Sequence, residues 1–249
     1  MRGYAAFAAF YDRLMKEIDY AALADYLLRL FELYSPEKKP ETLLDLACGS
    51  GSLTIELAVR GIDMIGVDGS ADMLMKATEK ADKAGMPLML LCQDMRKLDL
   101  YGTVNGAVCV LDSLNHLCRT SELFEVFKRL FLFIEPGGLL IFDVNTIYKH
   151  RYVLGNNSFV FEEKDFLCIW RNRLIGSTAE VDIQLDFFVE QDGCYTRLTD
   201  NLRERAYAAR TLNHLLSDAG FEVLAVYDDM SIKPVKRDSE RMVYVARRR

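Results

Sequence analysis

Thr42-Leu-Leu-Asp-Leu-Ala-Cys-Gly-Ser-Gly-Ser-Leu53 decides how this chain folds. Its first half, Thr42 to Ala47, is a short apolar run holding one acid, Asp45, and reads as a buried strand. Ala47-Cys48-Gly49-Ser50-Gly51 then reads as a tight turn. Glycines there admit backbone conformations closed to other residues and let the main chain approach a ligand closely. From Ser52 to about Arg60 the pattern is helical. Strand, glycine turn and helix in that order are the opening of a parallel α/β sheet.

The alternation continues on both sides of this unit. Upstream, Leu23, Leu27, Leu30 and Phe31 recur at helical spacing between Tyr20 and Tyr34, and Ser35 to Pro40 is a polar loop. Downstream, Asp63 to Val67 is the second strand. Ser70 caps a helix over Ala71 to Ala84, which Gly85 stops. Leu88 to Cys92 is the third strand and Gly106 to Leu111 the fourth. A helix from Thr120 to Phe133 halts at Glu135-Pro136-Gly137-Gly138, and Leu139 to Phe142 is the fifth strand. Continuous apolar strands of this kind suit a sheet covered on both faces. The expected fold is a doubly wound, Rossmann-like α/β fold with a mostly parallel seven-stranded sheet.

After Thr146 the pattern changes. Phe159 to Trp170, Arg173 to Gly176, Glu180 to Glu190 and Tyr195 to Ala206 alternate apolar and polar residues. Val181, Ile183, Leu185 and Phe187 sit at period two, and Gln191-Asp192-Gly193 supplies a hairpin turn. Residues 147–206 therefore read as an antiparallel insertion, serving as an acceptor cover or a dimer surface. Residues 1–146 and 207–249 form the main domain, closed by a helix from Ala208 to Ala219 and strands over Glu222 to Tyr227 and Arg241 to Ala246.

A chain of 249 residues can bury one large core. A net charge of −6 argues against general nucleic-acid binding, which needs a basic face. The apolar start, Met1 to Phe10, is too short for a signal peptide or a membrane span, so a cytoplasmic protein is expected. Cys48, Cys92, Cys109, Cys118, Cys168 and Cys194 form no C-x-x-C pair and have no histidine at ligand spacing. They read as reduced thiols, with no structural metal.

The chemistry is carried by position. Asp68, Asp94, Asp112 and Asp143 each fall at the carboxyl end of a strand, where open parallel sheets bind ligands. Asp68 lies 17 residues beyond Gly51, where an acid can accept hydrogen bonds from both hydroxyls of a ribose. A dinucleotide fingerprint would need a third glycine where Thr54 stands, and no P-loop is present. A nucleoside without phosphates fits better.

These motifs resemble those of the class I methyltransferases that use S-adenosylmethionine (SAM). Leu43 to Gly51 is similar to their first motif, D-x-x-x-G-x-G; Gly66-Val-Asp-Gly-Ser-x-x-Met73 resembles the second and Gln93-Asp94-Met95 the third. Glu135 to Gly138 is also typical. The resemblance covers about Tyr4 to Thr146 and the last two strands. It implies a SAM site built from Tyr11, Asp45, Ala47, Gly49, Gly51, Asp68, Gly69, Met73, Asp94, Met95, Leu111 and Asp112. Gly49 and Gly51 would lie under the methionine part, and Asp68 would take the ribose hydroxyls. Met73 would pack near the adenine, Asp94 would accept from its amino group, and the Met95 backbone would donate to its ring. Asp112 would face the methionine or the acceptor. The segment from Tyr4 to Met15, with Phe7, Tyr11, Asp12 and Leu14 as its marks, would cover SAM and acceptor. An aromatic ring there would stabilise positive charge.

Methyl transfer is an in-line displacement, so alignment and exclusion of water are the main tasks. If the acceptor, an amine or hydroxyl, needs a base, His116 and Asp112 are the candidates, with Tyr11 as the third catalytic residue. His150 and His214 have less support. Tyr148, Arg151, Phe159, Trp170 and Arg171 of the insertion could line an acceptor pocket. The expected partner is a small molecule, with a homodimer left open. A nucleic-acid substrate is disfavoured by the charge and by Leu111-Asp-Ser-Leu-Asn115, where amino-group nucleic-acid methyltransferases carry Asn/Asp-Pro-Pro-Tyr. Two other classes stay open: a regulatory module that binds SAM without turnover, and an NAD(P)-dependent oxidoreductase, which Thr54 disfavours.

Overall fold

The computed structural model describes residues 5–249; Tyr4, the first residue of the segment expected to cover the site, lies outside them. Two helices lead in, α1 (Ala5–Leu14) and α2 (Tyr20–Tyr34). There follow β1 (Thr42–Leu46), α3 (Ser52–Val59), β2 (Asp63–Asp68), α4 (Ala71–Ala84), β3 (Met89–Cys92), β4 (Val104–Cys109), α5 (Thr120–Phe133) and β5 (Ile134–Asn145). Four more strands are β6 (Ser158–Glu163), β7 (Phe166–Ile175), β8 (Glu180–Gln191) and β9 (Cys194–Arg205). The chain closes with α6 (Ala209–Asp218), β10 (Phe221–Asp228) and β11 (Arg241–Arg248).

Seven strands form one sheet in the order β10-β11-β5-β4-β1-β2-β3. β1 to β5 run parallel, and β11 is antiparallel to both β5 and β10. The order reverses between β1 and β4, which opens a crevice at the carboxyl ends of the strands. Alternate residues of each strand feed opposite layers. Leu44, Leu46, Phe142 and Tyr244 pack against Phe127 and Leu130 of α5 and Leu212 and Leu216 of α6. Leu43, Ile141 and Val243 face Leu27, Leu30 and Phe31 of α2 and Leu57 of α3. The stop signals act as expected: Ser70 Oγ accepts from Met73 N, and Gly85 ends α4 at φ +65°.

β6 to β9 make a separate antiparallel sheet. Its inner face buries Phe166, Cys168, Val181, Ile183, Leu185 and Phe187, and Phe7, Phe10, Leu14 and Met15 pack on the same cluster. The Phe10 ring lies 4.9 Å from that of Phe166 and 5.2 Å from that of Phe187.

Several boundaries differ from expectation: β4 runs over Val104–Cys109 rather than Gly106 to Leu111, and the stretch from Arg173 is the end of β7. The strand anticipated over Phe159 to Trp170 is broken at Lys164-Asp165, where the chain turns and β6 pairs back on β7. Alternation survives such a turn and so conceals it. β5 starts at Ile134 rather than Leu139: Ile134 pairs with Val104, and the register shifts before Leu139 pairs with Gly106. No helix among the described residues is long and apolar enough to cross a membrane.

Candidate functional site

Two turns at the strand ends form the floor of the site. In the first, Ala47, Gly49 and Gly51 all hold left-handed backbone, at φ 64°, 54° and 75°. Ala47 N and Cys48 N both donate to Val67 O, at 2.7 and 3.0 Å. Gly49 N donates to Asp68 Oδ2 at 2.9 Å and Ser70 N to Asp68 Oδ1 at 2.8 Å. Asp68 thus ties the end of β2 to the turn after β1. Burial raises its carboxyl above the usual range, against the pull of those two amides. Gly51 faces away from the crevice: a Cβ there would stand 2.8 Å from Ala77 Cβ of α4. Its glycine is required by helix packing as well as by its φ.

Thr54, the residue that interrupts a dinucleotide fingerprint, has a clear use. Its hydroxyl donates to Asp45 Oδ2 at 2.6 Å, with both side chains buried. Burial still pushes the Asp45 carboxyl up to about 7. Asp45 opens onto a small side pocket whose walls include Tyr11, Tyr20, Ala47, Ser50 and Leu111.

The second turn follows β4. Leu111 and Asp112, neither a glycine, have φ of 56° and 55°. Left-handed backbone costs an L-residue roughly 1–2 kcal/mol, so two in succession need external support. Asp143, 4% exposed, supplies it by accepting from Leu111 N at 2.8 Å and Asp112 N at 2.7 Å. Arg241 then bridges the acids, donating to Asp143 Oδ1 at 2.5 Å and Asp112 Oδ1 at 2.6 Å. Burial opposes ionisation of Asp112, but Arg241 and Lys149 hold its carboxyl below the usual range.

Helix α1 roofs the first turn. Asp12 Oδ1 accepts from Ser50 Oγ at 2.6 Å and from Lys80 Nζ at 2.7 Å, and Lys80 also reaches Ser50 and Ser52. The Tyr11 ring lies 3.8 Å from where a Gly49 Cβ would stand. On its other side α1 is bound to the second sheet, through Arg13 with Glu163 and Asp165 and through Phe7 N donating to Asp200 at 2.6 Å.

Between floor and roof lies a cleft of about 1010 Å³. Of the residues singled out from sequence, Tyr11, Ala47, Gly49, Asp68, Gly69, Met73, Asp94, Met95, Leu111, Asp112 and His116 line it; Asp45 and Gly51 do not. Asp94 is already engaged: Arg96 grips both its oxygens and also reaches Glu122, and the carboxyl is held below the usual range. From the insertion Trp170 reaches the cleft. Phe159 packs on the edge of Trp170, Tyr148 on Tyr152, Arg151 bonds Ser177 O, and Arg171 pairs with Asp186 on the outer face of the sheet. Sequence reasoning missed Lys149, Asp200, Glu204 and Arg241. Asp200 and Glu204 left one signal: they occupy inward positions of the alternating strand β9, where apolar residues belong.

A chamber floored by a glycine turn and a strand-end acid, at the topological switch point of a 3-2-1-4-5 sheet with an antiparallel β11 between β5 and β10, defines a class I SAM-binding α/β protein. The comparisons agree. Residues 43–138 match the family model described as a methyltransferase domain. The "Putative methyltransferase YqeM" of Bacillus subtilis (strain 168) is 31% identical over 246 residues, covering 98% of this chain and 97% of its own. A crystal structure of a SAM-dependent methyltransferase from Clostridium acetobutylicum ATCC 824 is 30% identical, with a TM-score of 0.88 and 98% of each chain covered. A glycine/sarcosine N-methyltransferase of Halorhodospira halochloris is 25% identical over 209 residues, covering 82% of this chain and 74% of its own. The chain belongs to the class I SAM-dependent methyltransferases, and SAM is its methyl donor.

Proposed function

We propose that the enzyme methylates a nitrogen or oxygen of a small molecule held between the strand ends and the second sheet. The observation that carries this is the shape of the cleft, a single chamber with the strand-end turns on one side and Trp170, Leu185 and Leu202 on the other. Its volume is at the upper end for a ligand site, enough for a donor and a modest acceptor together. The N-methyltransferase of H. halochloris, named for glycine and sarcosine, supports a small acceptor by likeness.

The residues present fit the donor. Gly49 leaves the turn open beneath Tyr11, and Asp68, aligned by two amides, keeps lone pairs for ribose hydroxyls. Met73 and Met95 offer a polarisable wall for a base, and Asp94 would receive its amino group alongside Arg96. SAM supplies a methyl group activated on a positive sulfur. Tyr11, carried by α1, would face that charge, while α1 and the second sheet exclude water. Asp112, committed to Arg241, holds the second turn in shape. His116, on the cleft wall, is the candidate to take a proton from the acceptor.

Calorimetric titration with SAM, S-adenosylhomocysteine (SAH) and NAD tests the donor site. The first two should bind and NAD should not. Asp68→Ala should weaken SAM by about 1–3 kcal/mol, through loss of hydrogen bonds to a charged group. Unchanged affinity would reject this placement of the ribose.

A further inference from the structure

Strand β9 presents Asp200, Leu202 and Glu204 inward and Asn201 and Arg203 outward. Asp200 is accounted for by the amide of Phe7. Glu204 is not. It is 4% exposed, yet its Oε1 stands 3.9 Å from His116 Nε2 and its Oε2 3.6 Å from His150 Nε2, both beyond hydrogen-bond length. Glu204 Oε2 and His150 Nε2 are buried with no hydrogen-bond partner among the described residues.

The hydrogens can be counted. His150 Nδ1 lies 2.9 Å from Ala179 O, and a carbonyl only accepts, so Nδ1 carries the hydrogen. Nε2 of His150 faces Glu204 Oε2 at 3.6 Å, too far for a hydrogen bond. A buried carboxylate oxygen thus meets no donor within bonding distance among the described residues, which is costly for a group taken out of water. Lys149, one of the cations lining the cleft, is turned to Asn145 Oδ1 at 3.0 Å. The geometry is nevertheless fixed. Buried Asn115 accepts from Asn145 N at 2.9 Å and donates to Arg205 O at 2.9 Å, which locks the His116 turn against the strand bearing Glu204.

We propose that Glu204, flanked by His116 and His150, is the acceptor-recognising carboxylate, and that the acceptor is a cationic amine on an apolar body. This rests on the methyltransferase reading above. An ammonium brings several hydrogens and a positive charge to Glu204 Oε2, which has no hydrogen-bond partner among the described residues; a neutral alcohol brings one hydrogen and no charge. Met15, Ile18, Leu154, Trp170, Leu185 and Leu202 line the same cleft and receive the apolar body. Before transfer the ammonium gives up one proton. The N–H bond breaks, its electron pair stays on nitrogen as the attacking lone pair, and the proton passes to His116, which is partly exposed on the cleft wall, with Glu204 beside it.

The test compares matched pairs, benzylamine with benzyl alcohol and cyclohexylmethylamine with cyclohexylmethanol, by ligand-observed NMR on the full chain saturated with SAH. Each amine should bind at least about 10-fold more tightly than its alcohol, the span of a hydrogen bond to a charged group. In Glu204→Gln that preference should fall below about 3-fold, with SAH affinity unchanged. Crystals soaked with benzylamine give a second measure, since its nitrogen should lie within hydrogen-bond distance of the Glu204 carboxylate. Equal affinity of amine and alcohol, no binding of either, a preference that survives in Glu204→Gln, or a nitrogen bound elsewhere would each overturn the proposal. Failure of SAH to bind would instead sink the placement of the donor site, and the same comparison on the ligand-free chain would still judge Glu204.

Discussion

Asp45 and Asp143 are buried carboxylates at the same end of one sheet, and their partners set them apart. Asp143 has two backbone amides and a guanidinium; Asp45 has one hydroxyl and, among the described residues, no paired cation. With its carboxyl pushed from the usual range to about 7 by burial, Asp45 resists ionisation in the folded state. Its contribution to stability is therefore full below about pH 4, where the unfolded chain is protonated too, and is lost as pH rises toward 7. Carrying a carboxyl from about 4 to about 7 corresponds to roughly 4 kcal/mol as an upper order of magnitude. Asp45→Asn should accordingly gain on wild type by several kcal/mol between pH 4 and pH 8 in urea unfolding; a difference independent of pH would show that Asp45 ionises freely. Asp143→Ala leaves Arg241 half-paired and the Leu111-Asp112 turn unsupported, and should cost about 3–5 kcal/mol with a matching loss of SAM affinity. The acids were legible in sequence because strand ends announce themselves. Arg241 was not, since it stands 129 residues from Asp112 and nothing local marks the pair.

Among elements, α1 has the most work relative to its length. Its apolar residues Phe7, Phe10 and Leu14 belong to the second sheet's core, while Asp12 reaches back to Ser50 of the glycine turn. The sequence marks Phe7, Tyr11, Asp12 and Leu14 were visible, but a helical stripe does not say which sheet it will meet. The break at Lys164-Asp165 was hidden for a related reason: its use is tertiary, with Glu163 and Asp165 both holding Arg13 of α1. These ion pairs are partly exposed and individually weak. The contact of Asp12 with Ser50 and Lys80 bears more directly on the donor site. Asp12→Ala should raise the SAM dissociation constant by about 5- to 30-fold, on the order of 1–2 kcal/mol, while lowering unfolding stability less than Asp143→Ala does. A variant that binds SAM normally in calorimetry would mean that α1 roofs the turn without helping to hold the donor.

At the scale of the molecule, the cleft is walled by four stretches far apart in the chain: Phe7 to Ile18, on and just after α1, the strand ends from Ala47 to Glu122, the segment from Asn145 to Glu204, and Arg241. The doubly wound sheet was legible because each βα unit repeats a local pattern, and the site floor with it. The second sheet was legible only as an alternating insertion, because which face of β9 looks into the cleft depends on how two sheets dock. Binding a ligand in such a chamber links these stretches, and stabilises the folded state by about 2.7 kcal/mol at a hundredfold excess over the dissociation constant. Local opening of each wall should become rarer in proportion to its contact with the ligand. Hydrogen exchange with saturating SAH should therefore slow at the amides of Gly49 and of Leu111 and Asp112, and also along α1. β6, whose residues are absent from the cleft lining, should exchange as before. If α1 is unaffected, the roof opens independently of the donor and access to the cleft is governed by the second sheet alone. If β6 slows as much as α1, the two sheets move as one body and the chamber closes by their docking.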